Sequence, residues 1–279
     1  MSRRLHALAL CALFGGALVV PAAGWASSGG GSGGTGLGSG GTSTAPSGTT
    51  GTGTTGTTPN ANVQSGNVTV TSSGNGVTLQ TNASAMLAKG LSFTGTAPTN
   101  LAGETVEIER SGHETNWQWA PTVSATIAPD GTFAATWHTN HIGRFAMKAV
   151  VTSAGAMTQD STVAQSATST PSLTITVYRP SIATLYGPGF YGRRTACGQR
   201  LRATTIGVAN RTLKCGEKVA IYYKGRTMIV PVIDRGPYAN GADWDLTMAT
   251  GKALGIPGTV KLGAVSLPVA PTATAAKAG

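Results

Sequence analysis

The chain has 279 residues, a formal net charge of +10, 40 glycines and only 11 % charged residues. That length is one large domain or two ordinary ones, and a glycine share twice the usual says that part of the chain is not globular. No apolar run reaches the ~18 residues that cross a bilayer, which excludes an integral helical membrane protein, and three cysteines are too few for a disulfide-scaffold mini-protein.

Residues 1–26 have the pattern of a secretory signal. Arg3 and Arg4 supply the positive start, residues 8–20 are apolar, and Gly24 and Ala26 are small residues ahead of Ser27. Cys11 follows Leu10 rather than a small residue, so no lipid anchor is expected. The expected location is outside the cell. In that oxidising compartment the remaining pair, Cys197 and Cys215, is most simply a disulfide. The bond would contribute roughly 3 kcal/mol. A zinc site would need histidines nearby, and all four (His6, His113, His138, His141) lie far upstream. The His138-x-x-His141 spacing is assigned to the surface of the first domain, and neither a metal nor a cofactor is expected.

Residues 27–62 are almost wholly Gly, Ser and Thr and are expected to be a disordered spacer. From 63 to 178 short alternating runs are separated by turns, as in Thr105-Val106-Glu107-Ile108-Glu109, Val123-Ser124-Ala125-Thr126-Ile127 and Phe133-Ala134-Ala135-Thr136-Trp137. Pro129-Asp130-Gly131 marks a turn. Period-two alternation at this spacing predicts a β-sandwich. Trp117 and Trp119, two apart, are expected on one strand face, as core or edge packing or as a sugar-stacking pair.

A compact domain is expected from 181 to 267, with a disordered tail at 268–279. The charge divides sharply. Residues 63–178 carry four basic and six acidic side chains, whereas 179–267 carry thirteen basic and four acidic, a net of +9. The C-terminal domain should therefore meet a polyanion, and without a nucleic-acid motif the candidate is an anionic wall polymer. Strands are predicted at 182–186, 218–223, 228–233 and 259–267, the third apolar enough for burial on both faces. Apolar spacing over 246–254, stopped by Gly255, predicts a short helix. This composition suggests a closed barrel.

Two motifs carry a resemblance. Tyr186-Gly187-Pro188-Gly189-Phe190-Tyr191-Gly192-Arg193-Arg194-Thr195-Ala196-Cys197-Gly198 resembles the opening of the rare lipoprotein A (RlpA) family. Ile233-Asp234-Arg235-Gly236-Pro237-Tyr238 with Asp245-Leu246-Thr247 resembles its second signature. The resemblance implies a six-stranded double-psi β-barrel, related to expansin-like barrels, that acts on peptidoglycan, in some members as a lytic transglycosylase. The cysteine pair resembles that of Gram-positive and expansin-type members. Residues 128–145 and their surroundings (roughly 90–145) resemble bacterial immunoglobulin-like modules, so the expected class is all-β: an immunoglobulin-like β-sandwich followed by the barrel with one short helix. The chain departs from the lytic pattern at Gln199, where lytic members carry a glutamate, and at Asn210, where they carry a histidine.

Glycoside cleavage needs a proton donor to the leaving oxygen and often a second carboxylate. The candidate catalytic residues are Asp234, as general acid/base, and Asp245, with Asp243 on the same segment. Asp234 could instead bond turn amides, and Asp245 could be a helix N-cap. Tyr186, Tyr191, Tyr238 and Trp244 are candidates for a sugar-stacking floor or for core packing. Arg193, Arg235, Gln199 and Asn210 complete the candidate substrate-binding set. The expected partner is peptidoglycan or another anionic wall polymer, not nucleic acid, met by a monomer; the alternative to cleavage is expansin-like binding.

Overall fold

The computed structural model describes residues 63–152, 168–238 and 241–270. The expected signal, spacer and tail beyond 270 lie outside the described residues. In chain order the strands are β1 (Val63–Ser65), β2 (Thr69–Gly74), β3 (Val77–Asn82), β4 (Ser84–Met86), β5 (Gly90–Thr96), β6 (Thr105–Ser111), β7 (Ala120–Thr126), β8 (Thr132–His138), β9 (Gly143–Thr152), β10 (Thr168–Ser169), β11 (Leu173–Tyr186), β12 (Val208–Ala209), β13 (Lys218–Tyr223), β14 (Arg226–Asp234), β15 (Trp244–Thr247) and β16 (Val260–Ser266). One helix, α1 (Met248–Leu254), follows β15 directly.

The first half is two sheets sharing one core. One sheet runs β2-β3-β5-β8, and the other carries β7-β6-β9-β11 with β4 and β10 at its margins. Alternate residues of both sheets fill the space between them: Val77, Leu79 and Phe93 from one, Ile108, Phe145 and Met147 from the other. Trp137 meets Phe145 edge to face, with ring centroids 6.0 Å apart. Trp117 is not on a strand, because β7 begins only at Ala120. It sits at φ +62 in the preceding turn, while Trp119 packs under Lys148 Nζ at 4.4 Å. His141 pairs with Glu114.

The second half is a closed barrel. The circuit is β15-β12-β14-β13-β16-β11, and β11 pairs back to β15. The β11–β15 and β12–β14 contacts are parallel and the rest antiparallel. Ile221, Met228, Val230, Val232, Leu246 and Leu254 lie in its core. β14 is not buried on both faces as its composition suggests. Ile229 is 38 % exposed while Met228 and Val230 are buried, because only its inner face meets the barrel core. α1 starts later than its apolar spacing predicts: Leu246 and Thr247 end β15, and Thr247 Oγ1 accepts the amide of Thr250 as the N-cap. Gly255 ends the helix at φ +74.

β11 joins the two halves without a linker. Its first part pairs with β9 and β4, and its second part with β16 and β15. Val63–Ser65, expected at the start of the sandwich, pairs instead with β14 of the barrel. Tyr178, Ala220 and Val265 form a small buried cluster at the junction, and Tyr178 Oη lies 2.9 Å from Thr227 Oγ1. Gly263 makes the close approach possible: a Cβ there would sit 2.7 Å from Tyr178 Cβ and 2.9 Å from Met86 Sδ.

Candidate active site

A bulge sets the site. The β12–β14 register steps from Val208↔Val232 to Ala209↔Asp234, leaving Ile233 as the extra residue. The Ile233 side chain then packs over Gly207, where a Cβ would meet three of its carbons at 2.6, 2.7 and 2.8 Å. The shift brings Asp234, the last residue of β14, opposite Ala209. On its other side Ala209 faces Asp245 of β15, and Asp245 faces Thr184 of β11.

Asp234, Ala209, Asp245 and Thr184 thus form one row across four strands, with side chains on one face. Two strand spacings separate the aspartate Cα atoms, roughly 10 Å. The neighbouring row, Val208, Leu246 and Leu185, packs in or against the barrel core. Alternation therefore turns the aspartate row outward. It also turns Trp244 inward: Trp244 is in the core cluster, so it is not part of a stacking floor, and its Nε1 is buried without a partner.

Both aspartates are partly buried. Asp234 Oδ1 accepts the amides of Ala196 at 2.8 Å and Arg235 at 2.9 Å, and among the described residues no main-chain donor reaches Oδ2. Asp245 Oδ1 accepts from Thr184 Oγ1 at 2.8 Å; it is not the N-cap of α1. Burial, opposed by the Thr184 hydrogen bond and aided by the charge of Asp234, pushes the Asp245 carboxyl above the ordinary carboxylate range. The Tyr186 phenol is pushed up chiefly by burial and then by the charges of Asp234 and Asp245. Its hydroxyl lies near Asp234 without completing a hydrogen bond, and Thr195 Oγ1 is likewise buried without a partner. A phenol beside a carboxylate that completes no hydrogen bond is an unmet hydrogen-bonding capacity of the kind a polar ligand satisfies.

Asp243 is otherwise engaged. Its Oδ1 takes Arg179 Nη2 at 2.9 Å and its Oδ2 takes the Ile182 amide at 2.9 Å, fixing β11 to the loop before β15. Asn210 Oδ1 accepts the amides of Thr212 and Leu213 at 3.1 and 3.0 Å, so its carboxamide oxygen organises a turn. Arg235 folds back, with Nη1 3.4 Å from the Asn210 carbonyl and Nη2 3.5 Å from Cys215 Sγ. The Cys197–Cys215 disulfide is formed, with Cα atoms 5.6 Å apart. It ties the 187–202 loop to the segment before β13, so that the Ala196 amide reaches Asp234.

The exposed rim comes from that loop. Gln199 and Arg193 are exposed, while Arg194 Nη1 donates to the Gly198 carbonyl at 2.8 Å. Tyr238 is 79 % exposed on the other side of Asp234 in the chain. Phe190, which sequence reasoning missed, stands edge-on to Tyr186 at 6.3 Å. Gly187 allows Tyr191 and Met248 to close over the strand end: a Cβ there would lie 2.8 Å from Tyr191 Oη and 2.7 Å from Met248 Cγ. Thr184 was also missed. Its signal was present, because it lies two residues before Tyr186 on a predicted strand and so shares its face.

Residues 181–269 match the family described as lytic transglycolase. The probable endolytic peptidoglycan transglycosylase RlpA of Synechocystis sp. is 40 % identical over 85 residues, 30 % of this chain and 26 % of that protein. The protein of the same description from Aquifex aeolicus is 40 % identical over 81 residues, 28 % of this chain and 36 % of its own length. Endolytic peptidoglycan transglycosylase RlpA of Campylobacter jejuni is 37 % identical over 68 residues, 24 % of this chain and 25 % of its own length. This chain thus spans between about a quarter and a third of the length of these relatives. Among solved structures, Streptomyces papain inhibitor is 26 % identical, with 32 % of this chain and 93 % of that chain covered at a TM-score of 0.27. By strand order, closure and the matches to the family and to the curated relatives, residues 181–269 are an RlpA-like double-psi β-barrel.

Proposed function

We propose that this protein acts outside the bacterial cell on peptidoglycan, and that its barrel cleaves the glycan strand by a lytic transglycosylase reaction. The observation that carries this reading is the outward row of Asp234 and Asp245 beside the Tyr186 hydroxyl, which completes no hydrogen bond. In the reaction a carboxylic acid protonates the oxygen that leaves the anomeric carbon. The sugar's own 6-hydroxyl then forms the new bond to that carbon and gives its proton to a carboxylate, so no water is consumed. Asp245 suits the first task, because burial and the charge of Asp234 raise its carboxyl, a shift towards the proton-donating form. The Asp234 carboxylate suits the second: it also stabilises positive charge developing on the sugar ring, and its Oδ1 is fixed by two amides. Phe190, Tyr191 and Tyr238 offer apolar faces for sugar rings, and Arg193 offers charge to peptide carboxylates.

The test is incubation of the full chain with purified peptidoglycan and mass spectrometry of the soluble products. Anhydro-sugar fragments from the wild type, absent with Asp234→Asn and with Asp245→Asn, are expected. Equal release by all three proteins would sink the reading. A second reading, wall binding or loosening without cleavage, is favoured by Gln199 and by Asn210, whose carboxamide oxygen is spent on a turn. It predicts salt-sensitive binding with no soluble fragments.

A further inference from the structure

A groove at the sandwich–barrel junction shares no residue with the aspartate row. One part, of about 520 Å3, is lined by Arg144, Lys218 and Ile229 together with the hydroxyls of Ser84, Thr176 and Thr227. A second part, of about 310 Å3, shares Arg144, Lys218 and Ile229 and adds Trp117. The shared residues make the two parts one trough, in the size range of small-ligand sites.

Three observations define its occupant. Arg144 and Lys218 are exposed and form no ion pair among the described residues, and no carboxylate lines either part. Two cations without counter-charge therefore face the trough, which suits an anion. The remaining polar lining is hydroxyl and amide with the His113 imidazole, all groups that hydrogen-bond sugar hydroxyls. Finally, Asn116 and Trp117 stand at φ +51 and +62, a left-handed pair that is costly for a bulky residue. The turn is held by Trp117 N to the Gly112 carbonyl at 2.8 Å and Gln118 N to the Thr115 carbonyl at 3.0 Å. It sets the indole at the trough, where with half-exposed Ile229 it offers an apolar platform for a sugar face.

We infer that this junction trough is a second binding site, for a carboxylate-bearing polysaccharide, and that it holds a wall strand while the aspartate row acts on another stretch. That the polysaccharide is peptidoglycan rests on the reading above; the anionic-sugar chemistry rests on the trough itself.

The experiment compares full-length wild type with Arg144→Ala/Lys218→Ala, two exposed positions outside the candidate active site. Co-sedimentation is measured with peptidoglycan sacculi stripped of attached phosphate polymers and with chitin, an uncharged β-1,4 polymer. The double variant should bind stripped sacculi about tenfold more weakly, the equivalent of one charge-assisted contact, and its binding should depend less on salt. Its chitin binding and thermal midpoint should be unchanged. Arg144→Lys/Lys218→Arg should retain sacculus binding. Unchanged sacculus affinity in the double alanine variant, an equal loss on chitin, or wild-type binding that vanishes when phosphate polymer is stripped would each overturn the inference. Failure of the catalytic reading shows separately, as product release that ignores Asp234→Asn.

Discussion

The sandwich and the barrel are both β-structures joined through one strand, yet they use alternation differently. In the sandwich, alternation separates an apolar core from a surface of threonines and serines, and charged pairs form locally at Arg110–Glu114 and Lys148–Glu109. In the barrel, alternation places Val208, Leu246 and Leu185 on one side of a four-strand patch and two carboxylates on the other. The barrel keeps those carboxylates partly buried, next to the Tyr186 hydroxyl, which completes no hydrogen bond. Such groups lower stability unless something else binds them. On the proposed reading the second half carries the cleavage chemistry, while the first half contributes Arg144 and Trp117 to the junction trough.

The largest effect that would sharpen this contrast is catalytic. Asp245→Asn should lower anhydro-product release by about 10²–10⁴-fold, the usual contribution of a positioned proton donor. Wild-type activity should fall as pH rises through the raised Asp245 value, and residual activity of the variant should lose that limb. A pH–rate profile of both proteins measures this.

Next is the sandwich core. Phe93→Ala, at a side chain with no exposure, should cost about 3–5 kcal/mol, and denaturant unfolding should report it. If product release by the fraction still folded is unchanged, the sandwich core takes no part in the cleavage step; a proportionate loss would break that division.

Removing the disulfide with Cys197→Ser/Cys215→Ser should cost about 3 kcal/mol. It should also loosen the loop that brings the Ala196 amide to Asp234. Hydrogen exchange should rise in 191–202 and not in β5 or β8.

Gly207→Ala should cost about 1–3 kcal/mol by forcing Ile233 off its seat. Because Ile233 is the bulge residue, activity should fall more than thermal stability does; a loss of stability alone would show that the bulge does not set the aspartate row.

The smallest effect is pH-dependent stability. The Asp245 carboxyl is raised in the folded state from its ordinary 3.8. Below that pH it is protonated in both states and costs nothing. As pH rises the unfolded chain ionises first, and native stability is lost until the folded group ionises too. Asp245→Asn, neutral throughout, should therefore match the wild type near pH 3 and melt at a higher temperature near pH 7. Equal melting temperatures at both pH values would contradict the buried-acid account.

Much of this was legible in the chain. Runs such as Phe133-Ala134-Ala135-Thr136-Trp137 reveal a half-buried strand because the side-chain period of two is local, and β13 coincides with its predicted run. The two aspartates stood out as candidates because each lies within a recognisable motif. What the sequence could not show depends on partners distant in the chain. β12 is two residues long and exists only because β14 and β15 flank it. Without β12 nothing in the sequence reveals that Asp234 and Asp245 share a row, that Trp244 turns inward, or that Asp243 is spent on the Ile182 amide.

The sequence by itself determined the strand-forming runs, the +9 charge of 179–267 and the chemistry of each side chain, because these follow from local composition. Only the tertiary structure decided the bulge at Ile233, the continuity of β11 through both halves and the trough between Arg144 and Lys218. Those features arise from register and close approach between segments far apart in the chain, which no local pattern encodes.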